Sequence, residues 1–204
     1  MNAFSEYQLK QEQRRLPELP DHLDYLCDIT LEPQQFLIDG IMPQKCLSAI
    51  VGPSYSFKTF IALEMALSVA AGLPFHGEKV KQGTVIYVNG EGRHGIMTRI
   101  NAWCQSKSID PAGLPFILSK TPINLRDTAE LAKLLAIYES VPDMRMIVID
   151  TLNRCAGGMN ENAPVDMAEF VNACSAMVHR FDCAVCVIHH TGKDLNGGAR
   201  GHSS

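Results

Sequence analysis

Eight residues decide how this chain folds, Gly52-Pro53-Ser54-Tyr55-Ser56-Phe57-Lys58-Thr59. A glycine, four variable residues, a second glycine, a lysine and a serine or threonine form the pattern of a phosphate-binding loop. The segment matches every fixed position except one, because Phe57 stands where the second glycine is expected. Its sequence context therefore decides whether it predicts such a loop.

The flanking segments have the character that the loop requires. Residues 46–51 form a short apolar run, typical of a buried parallel strand. Residues 58–71 are rich in alanine, leucine and methionine, which favour a helix, and Gly72 follows as a stop. We therefore predict a strand, a loop and a helix that converge on one anionic ligand, with Phe57 accepted because its backbone is already near the helical conformation.

The predicted nucleotide site comprises the loop and the first turn of the helix. Lys58 can reach the terminal phosphates, and the Thr59 hydroxyl can bind a magnesium ion. The predicted binding residues are Gly52, Pro53, Ser54, Tyr55, Ser56, Phe57, Lys58, Thr59 and Phe60.

Size and charge narrow the possible classes of protein. A chain of 204 residues fits one ordinary domain, and a hydrophobic content of 46% is enough for a sizeable core. The net charge is −4, so any contact with nucleic acid has to come from local loops or an assembled pore. No apolar run approaches the ~20 residues of a membrane span, and no signal peptide is recognisable, so we expect a cytoplasmic protein without membrane contact.

The seven cysteines are scattered through apolar segments, which favours reduced thiols in a cytosol. Cys183 and Cys186 have the spacing of a redox or metal motif, but they lie in an apolar run that is predicted to be a strand. Residues three apart on a strand point to opposite faces. We therefore interpret both as core residues.

The order of the predicted elements indicates the fold class. Residues 1–30 are polar and are predicted to form an extension, whereas 31–204 are predicted to form one domain. We predict strands near residues 46–51, 84–89, 115–119, 145–150 and 183–189. We predict helices near residues 58–71, 95–106, 127–140 and 165–181. This alternation indicates an α/β fold with a mostly parallel sheet and helices on both faces.

Two carboxylates follow predicted strands. Asp150 ends an apolar strand, as does the residue that holds the magnesium shell in phosphate-loop enzymes. Thr151 comes next, so no neighbouring glutamate is available as a general base. The candidate is Glu91, after the strand at 84–89, where it could accept a proton from water attacking the γ-phosphate; the alternative is a solvated loop residue.

The segment Gly90-Glu91-Gly92-Arg93-His94-Gly95 also matches a dinucleotide-binding fingerprint, and Asp110 lies near the distance expected for the ribose acid. Two observations disfavour this alternative. Glu91 would put a negative charge beside a pyrophosphate, and the fingerprint belongs on the first strand of such a sheet.

A cluster of polar residues follows the last predicted strand. His189 and His190 could be metal ligands, but adjacent strand residues point apart, so we favour one histidine facing a phosphate. Lys193 and Arg200 could neutralise transition-state charge in their own or a neighbouring subunit, or could simply be solvated. The chain ends in a Gly-rich loop, residues 195–204, which favours a fragment that lacks the last strands of its domain.

Together these residues resemble the RecA-like P-loop ATPases, and most closely the RepA-type hexameric replicative helicase group of phages and plasmids. The loop ending Ser56-Phe57-Lys58-Thr59 is similar to variant loops of phage members. The other segments that carry the resemblance are Phe36–Pro43, Asn89–Gly92, Ile149–Leu152, Gly157-Gly158, Glu161-Asn162, His189–Lys193 and Gly198–Gly201.

The resemblance implies ATP hydrolysis with Mg²⁺, assembly into a homo-oligomeric ring and action on single-stranded DNA in replication or recombination. It also implies that His190 senses the γ-phosphate and that Lys193 or Arg200 acts on a neighbouring subunit's nucleotide. A nucleotide-binding switch, loader or regulatory module with little turnover of its own is the alternative, and the net charge of −4 favours it.

Overall fold

The computed structural model describes residues 17–21, 23–90, 92–159 and 163–191. Contacts within the chain separate two units, residues 1–34 and 35–204. In the first unit the described residues form neither helix nor strand, and the Tyr25 hydroxyl donates a hydrogen bond to the Pro17 carbonyl at 2.7 Å. No helix among the described residues is long and apolar enough to cross a membrane.

The second unit alternates strands and helices. In chain order the elements are β1 (Phe36–Ile38), β2 (Met42–Pro43), β3 (Cys46–Gly52), α1 (Lys58–Ala71), β4 (Thr84–Asn89), α2 (Arg93–Lys107), a 3-10 turn (Pro111–Gly113), β5 (Phe116–Leu118), α3 (Thr128–Tyr138), β6 (Met144–Asp150), α4 (Leu152–Cys155), α5 (Pro164–Phe181) and β7 (Ala184–His190). Every predicted strand and helix is present, and no bound differs by more than two residues. The β1–β2 hairpin and the short helix α4 were not predicted, because segments this short show no periodicity.

Five strands form one parallel sheet in the order β3-β7-β6-β4-β5. One strand, β7, therefore lies between the strand that leads into the loop and the strand that ends at Asp150. The register pairs Gly52 with His190 and Asn89 with Asp150. Four strands thus end at one edge of the sheet, as the sequence predicted for its site residues.

Helices cover both faces of the sheet, which confirms the predicted α/β fold. Val85 and Tyr87 of β4 pack in a core with α1 and α2. Ile86 and Val88 pack in a second core with α3 and α5. Successive strand residues therefore serve opposite cores, as the two-residue period of a strand requires.

The predicted role of Cys183 and Cys186 as core residues is confirmed. Both side chains are fully buried, and they belong to different cores. All seven cysteines are free thiols.

Burial should protect the inner cysteines from alkylation. It raises the pKa of Cys155 and Cys186 to about 11, and that of Cys174 and Cys183 to about 12. Few thiolates are therefore available at pH 8, and the thiolate is the nucleophile. With iodoacetamide at pH 8 we expect exposed Cys27 to react first, and these four to react only in guanidinium, as measured by peptide mass spectrometry. Rapid native labelling of Cys186 would contradict its place in the core.

Candidate functional site

The loop after β3 closes around the Lys58 side chain. The Lys58 ammonium, on a residue only 5% exposed, donates to the Pro53 carbonyl at 2.6 Å and to the Ser56 hydroxyl at 3.4 Å. Ser56 in turn donates to the Pro53 carbonyl at 2.8 Å. A side chain at Gly52 would put its Cβ 3.0 Å from the Ser56 oxygen, so the first glycine lets the loop fold this tightly. The result is a compact turn with a positive charge inside it.

Phe57 does not have the near-helical backbone that the sequence analysis expected, so that expectation was wrong. Its φ of 59° and ψ of 16° are left-handed, immediately before α1 begins at Lys58. The turn into the helix imposes this conformation, which a glycine adopts freely and which costs an L residue about 1–2 kcal/mol. The ring lies outside the loop, 70% exposed, with its centroid 5.8 Å from that of Phe60. The side chain is therefore accepted because it points to solvent.

The start of α1 suits an anionic ligand. No side chain hydrogen-bonds to the first turn from the capping position, Phe57. The N–H groups of a helix's first turn have no partner within the helix and carry the positive end of its dipole. Together with the Lys58 ammonium, they concentrate positive charge at this turn, which an anionic group would find favourable.

Thr59 and Asp150 come together from distant parts of the chain. The Thr59 hydroxyl donates to Asp150 Oδ1 at 3.4 Å, and the Tyr87 hydroxyl donates to Asp150 Oδ2 at 2.6 Å. Hydroxyl and carboxylate oxygens are the donors that Mg²⁺ prefers, so these residues fit that ion. Among the described residues no group of three or more His, Cys, Asp or Glu could hold a metal ion.

A cleft of about 540 Å³ opens over the loop. Its lining residues are Ser54, Tyr55, Ser56, Phe57, Lys58, Thr59, Phe60, Arg99 and His190. Most of the predicted binding residues therefore share one cavity. Gly52 and Pro53 shape the loop but do not line the cleft, and Asp150 is fully buried behind Thr59.

His190, of the two adjacent histidines, is the one that lines the cleft. It lies on the same face of β7 as Cys186 and Ile188, which pack against α1. His189 is 7% exposed and does not line the cleft. The alternation of a strand thus separates the two neighbours.

The comparisons with known proteins agree with this geometry. A family model described as an AAA domain matches residues 12–196. The chain belongs to the AAA domain family. This membership indicates an ATP-binding P-loop ATPase and confirms the predicted fold class. No protein in the curated collection matches the chain.

In this AAA-family protein, Glu91 is the residue predicted to activate the attacking water. Glu91 lies outside the described residues, as do Lys193 and Arg200, so their roles stay predictions. Gly90, the residue before Glu91, lies beside Asp150, because the Gly90 N–H donates to the Asp150 carbonyl at 2.5 Å. A Cβ at Gly90 would lie 2.4 Å from the Arg154 Cβ, so only glycine fits here.

The glycines of the dinucleotide fingerprint do not support that alternative. A Cβ added at Gly92 or Gly95 would meet nothing within 4 Å, so neither is required for a close backbone approach. The carboxylate of Asp110 accepts a hydrogen bond from the Ala112 N–H at 3.0 Å and caps a 3-10 turn. Gly90 is required because its backbone packs against Arg154 of α4 and the Asp150 carbonyl, which accounts for this glycine without a pyrophosphate.

The sequence analysis did not single out two residues that lie at the cleft or contact Asp150. Arg99 lies over the Phe60 ring, with its guanidinium carbon 4.5 Å from the ring centroid. Tyr87 had been placed only within a strand. No motif marks either residue, because the packing of α2 on α1 and the pairing of β4 with β6 bring them to the site.

The left-handed backbone at Phe57 should make glycine better than alanine there. Glycine at this position avoids the cost of about 1–2 kcal/mol that an L residue incurs in the left-handed conformation. Glycine also makes the unfolded chain more flexible, which offsets about 0.5–1 kcal/mol of that gain. We expect the free energy of unfolding, measured in urea, to be about 0.5–1 kcal/mol higher for Phe57→Gly than for Phe57→Ala. Both variants lose the ring, so alanine is the matched control. Equal stability of the two variants would argue against a left-handed residue.

Proposed function

We propose that this protein hydrolyses ATP with Mg²⁺ in the cleft over the loop, as a helicase-like motor in DNA replication or recombination. The observation that carries the hydrolytic part is the approach of Thr59 Oγ1 to Asp150 Oδ1 at 3.4 Å, next to the buried ammonium of Lys58. Two oxygen donors for a divalent cation and one fixed cation then lie at the start of a helix. A nucleoside triphosphate with its magnesium ion requires this set of groups.

Each residue has a defined task in this proposal. Lys58 and the backbone N–H groups of the loop bind the β- and γ-phosphates, while Thr59 and Asp150 hold the metal. Bound Mg²⁺ neutralises charge on the phosphate oxygens. Because the Lys58 ammonium lies on the Pro53 carbonyl, it is already inside the loop and has to exchange that acceptor for a phosphate oxygen.

The proton transfer is assigned to Glu91, which we propose accepts a proton from the attacking water. Its neighbour Gly90 is hydrogen-bonded to the Asp150 carbonyl, which supports a position beside the metal ligands. His190, which also lines the cleft, is proposed to contact the γ-phosphate. Lys193 and Arg200 are proposed to neutralise charge at the nucleotide of a neighbouring subunit in a ring.

The nucleoside is proposed to lie against Arg99 and Phe60. Phe60 follows Thr59 directly and is 49% exposed, and the Arg99 guanidinium covers its ring. The aromatic ring and the planar guanidinium both present flat faces to the cleft. A base can stack on such a surface while its phosphates reach the loop.

The action on single-stranded DNA is supported by the resemblance of the motifs to replicative helicases. The alternative, a nucleotide-binding switch or loader with little turnover, is supported by the net charge of −4, which attracts no nucleic acid. Mass in solution with ATP and Mg²⁺, and ATP turnover with and without single-stranded DNA, separate the two. A ring stimulated by DNA supports the motor, whereas a monomer that binds ATP without turnover supports the switch.

ATP turnover tests the hydrolytic proposal directly. We expect Lys58→Ala to lose at least tenfold in kcat/KM, because the phosphates lose their buried cation. We expect Glu91→Gln to lower kcat by roughly 10²–10⁴-fold, the usual range for a general base. Lys79→Ala and Glu78→Gln, the same changes at exposed positions away from the cleft, should behave as the unmodified protein. Sizeable and equal rates for Glu91→Gln and the unmodified protein would remove Glu91 from this role.

The proposed position of the base predicts that Arg99 contributes to affinity. Removal of a cation that stacks on an aromatic ring costs about 0.5–2 kcal/mol, so we expect Arg99→Ala to bind a fluorescent ATP analogue roughly three- to thirtyfold more weakly. Lys107→Ala removes one positive charge from the far end of the same helix and serves as the control for net charge. Equal affinities of the two variants would place the base elsewhere.

A further inference from the structure

Tyr87 joins two strands through a buried hydrogen bond. Its side chain is fully buried in the middle of β4, and its hydroxyl donates to Asp150 Oδ2 at 2.6 Å. The ring stacks on Phe116 of β5, with centroids 6.0 Å apart and planes 25° apart. Phe116 on β5 therefore contacts the ring on one side of β4, while the hydroxyl points to Asp150 on β6 at the other side.

This bond distinguishes the two oxygens of Asp150. Oδ2 accepts from Tyr87, and Oδ1 accepts from Thr59 at 3.4 Å. Asp150 is fully buried, so bulk water does not orient its carboxylate. Rotation of the carboxylate that moved Oδ1 away from Thr59 would break the shorter of these two bonds. The hydroxyl of Tyr87 therefore selects the orientation in which one oxygen faces the helix that carries Thr59.

We propose that Tyr87 is a positioning residue for the metal site, whose hydroxyl holds the Asp150 carboxylate with Oδ1 toward Thr59 and the divalent cation that accompanies ATP. This inference rests on the proposed function. Tyr87 touches neither nucleotide nor metal and acts through Asp150 alone. A residue that merely stabilised the fold would affect unfolding but leave the metal requirement unchanged.

The experiment measures the metal requirement of nucleotide binding rather than turnover. Anisotropy of a fluorescent ATP analogue is followed while Mg²⁺ is titrated into the full chain. We expect Tyr87→Phe to raise the half-saturating Mg²⁺ concentration about tenfold, the lower end of the effect of losing a group that orients a metal ligand. Affinity for the analogue in EDTA should stay within twofold of the unmodified protein.

Tyr138→Phe is the matched control, because it removes a hydroxyl from another buried tyrosine, on α3 in the opposite core. It should leave the Mg²⁺ titration unchanged. An unchanged titration for a folded Tyr87→Phe variant would overturn the inference while leaving the proposed function intact. Failure of the unmodified protein to bind the analogue at all would overturn both.

A second variant tests whether Tyr87 acts through Asp150. In an Asp150→Asn background, Tyr87→Phe should cause less than a twofold further change in the Mg²⁺ titration, because the carboxylate that it orients is absent. A further tenfold change in that background would show an independent action and would overturn the inference.

If Tyr87→Phe does not fold, the unmodified sequence supplies the test. The protein is produced with 3-fluorotyrosine, and the signal of Tyr87 is assigned by replacing the other tyrosines one at a time. Its ¹⁹F chemical shift should change when Mg²⁺ is added to the complex with the ATP analogue, because the metal withdraws electron density from the Asp150 carboxylate that Tyr87 contacts. A Tyr87 signal that does not move on metal addition would overturn the inference.

Discussion

The pairing of β7 with both β3 and β6 is the constraint on which the site depends. Neighbouring strands lie about 4.8 Å apart, so one intervening strand separates the loop strand from the Asp150 strand by roughly 10 Å. That gap is bridged by the first turn of α1, whose Thr59 reaches Asp150 at 3.4 Å. The same pairing brings His190 level with Gly52.

The unusual Phe57 shows how strongly this geometry acts on the local sequence. The backbone keeps the left-handed turn that a glycine normally provides, although an L side chain opposes it. The many contacts of α1 with the sheet determine where the helix starts, and the residue before it has to follow. Since the ring is exposed, only conformational strain remains, which the rest of the fold can offset.

The sequence predicted the elements well because each is long enough to show its period or its cap. Residues 58–71 are followed by a glycine with a φ of 69°, and the apolar strands end at polar residues. Asp150, Thr59 and His190 could be assigned to one edge because parallel strands share that edge. The backbone conformation of Phe57 was predicted wrongly, because the preference of an L residue for negative φ was given more weight than the left-handed turn that leads into α1. Arg99 and Tyr87 carry no motif, so no pattern in the chain pointed to them.

The amino-acid sequence by itself determined the alternation of strands and helices, the loop around Lys58 and the polar residues at the strand ends. These depend on local preferences and on spacing along the chain. Only the tertiary structure decided the strand order, the left-handed turn at Phe57, the place of Arg99 over Phe60 and the bond from Tyr87 to Asp150. Tyr87 and Asp150 are 63 residues apart, and a contact over that distance follows from register and packing rather than from neighbours in the sequence.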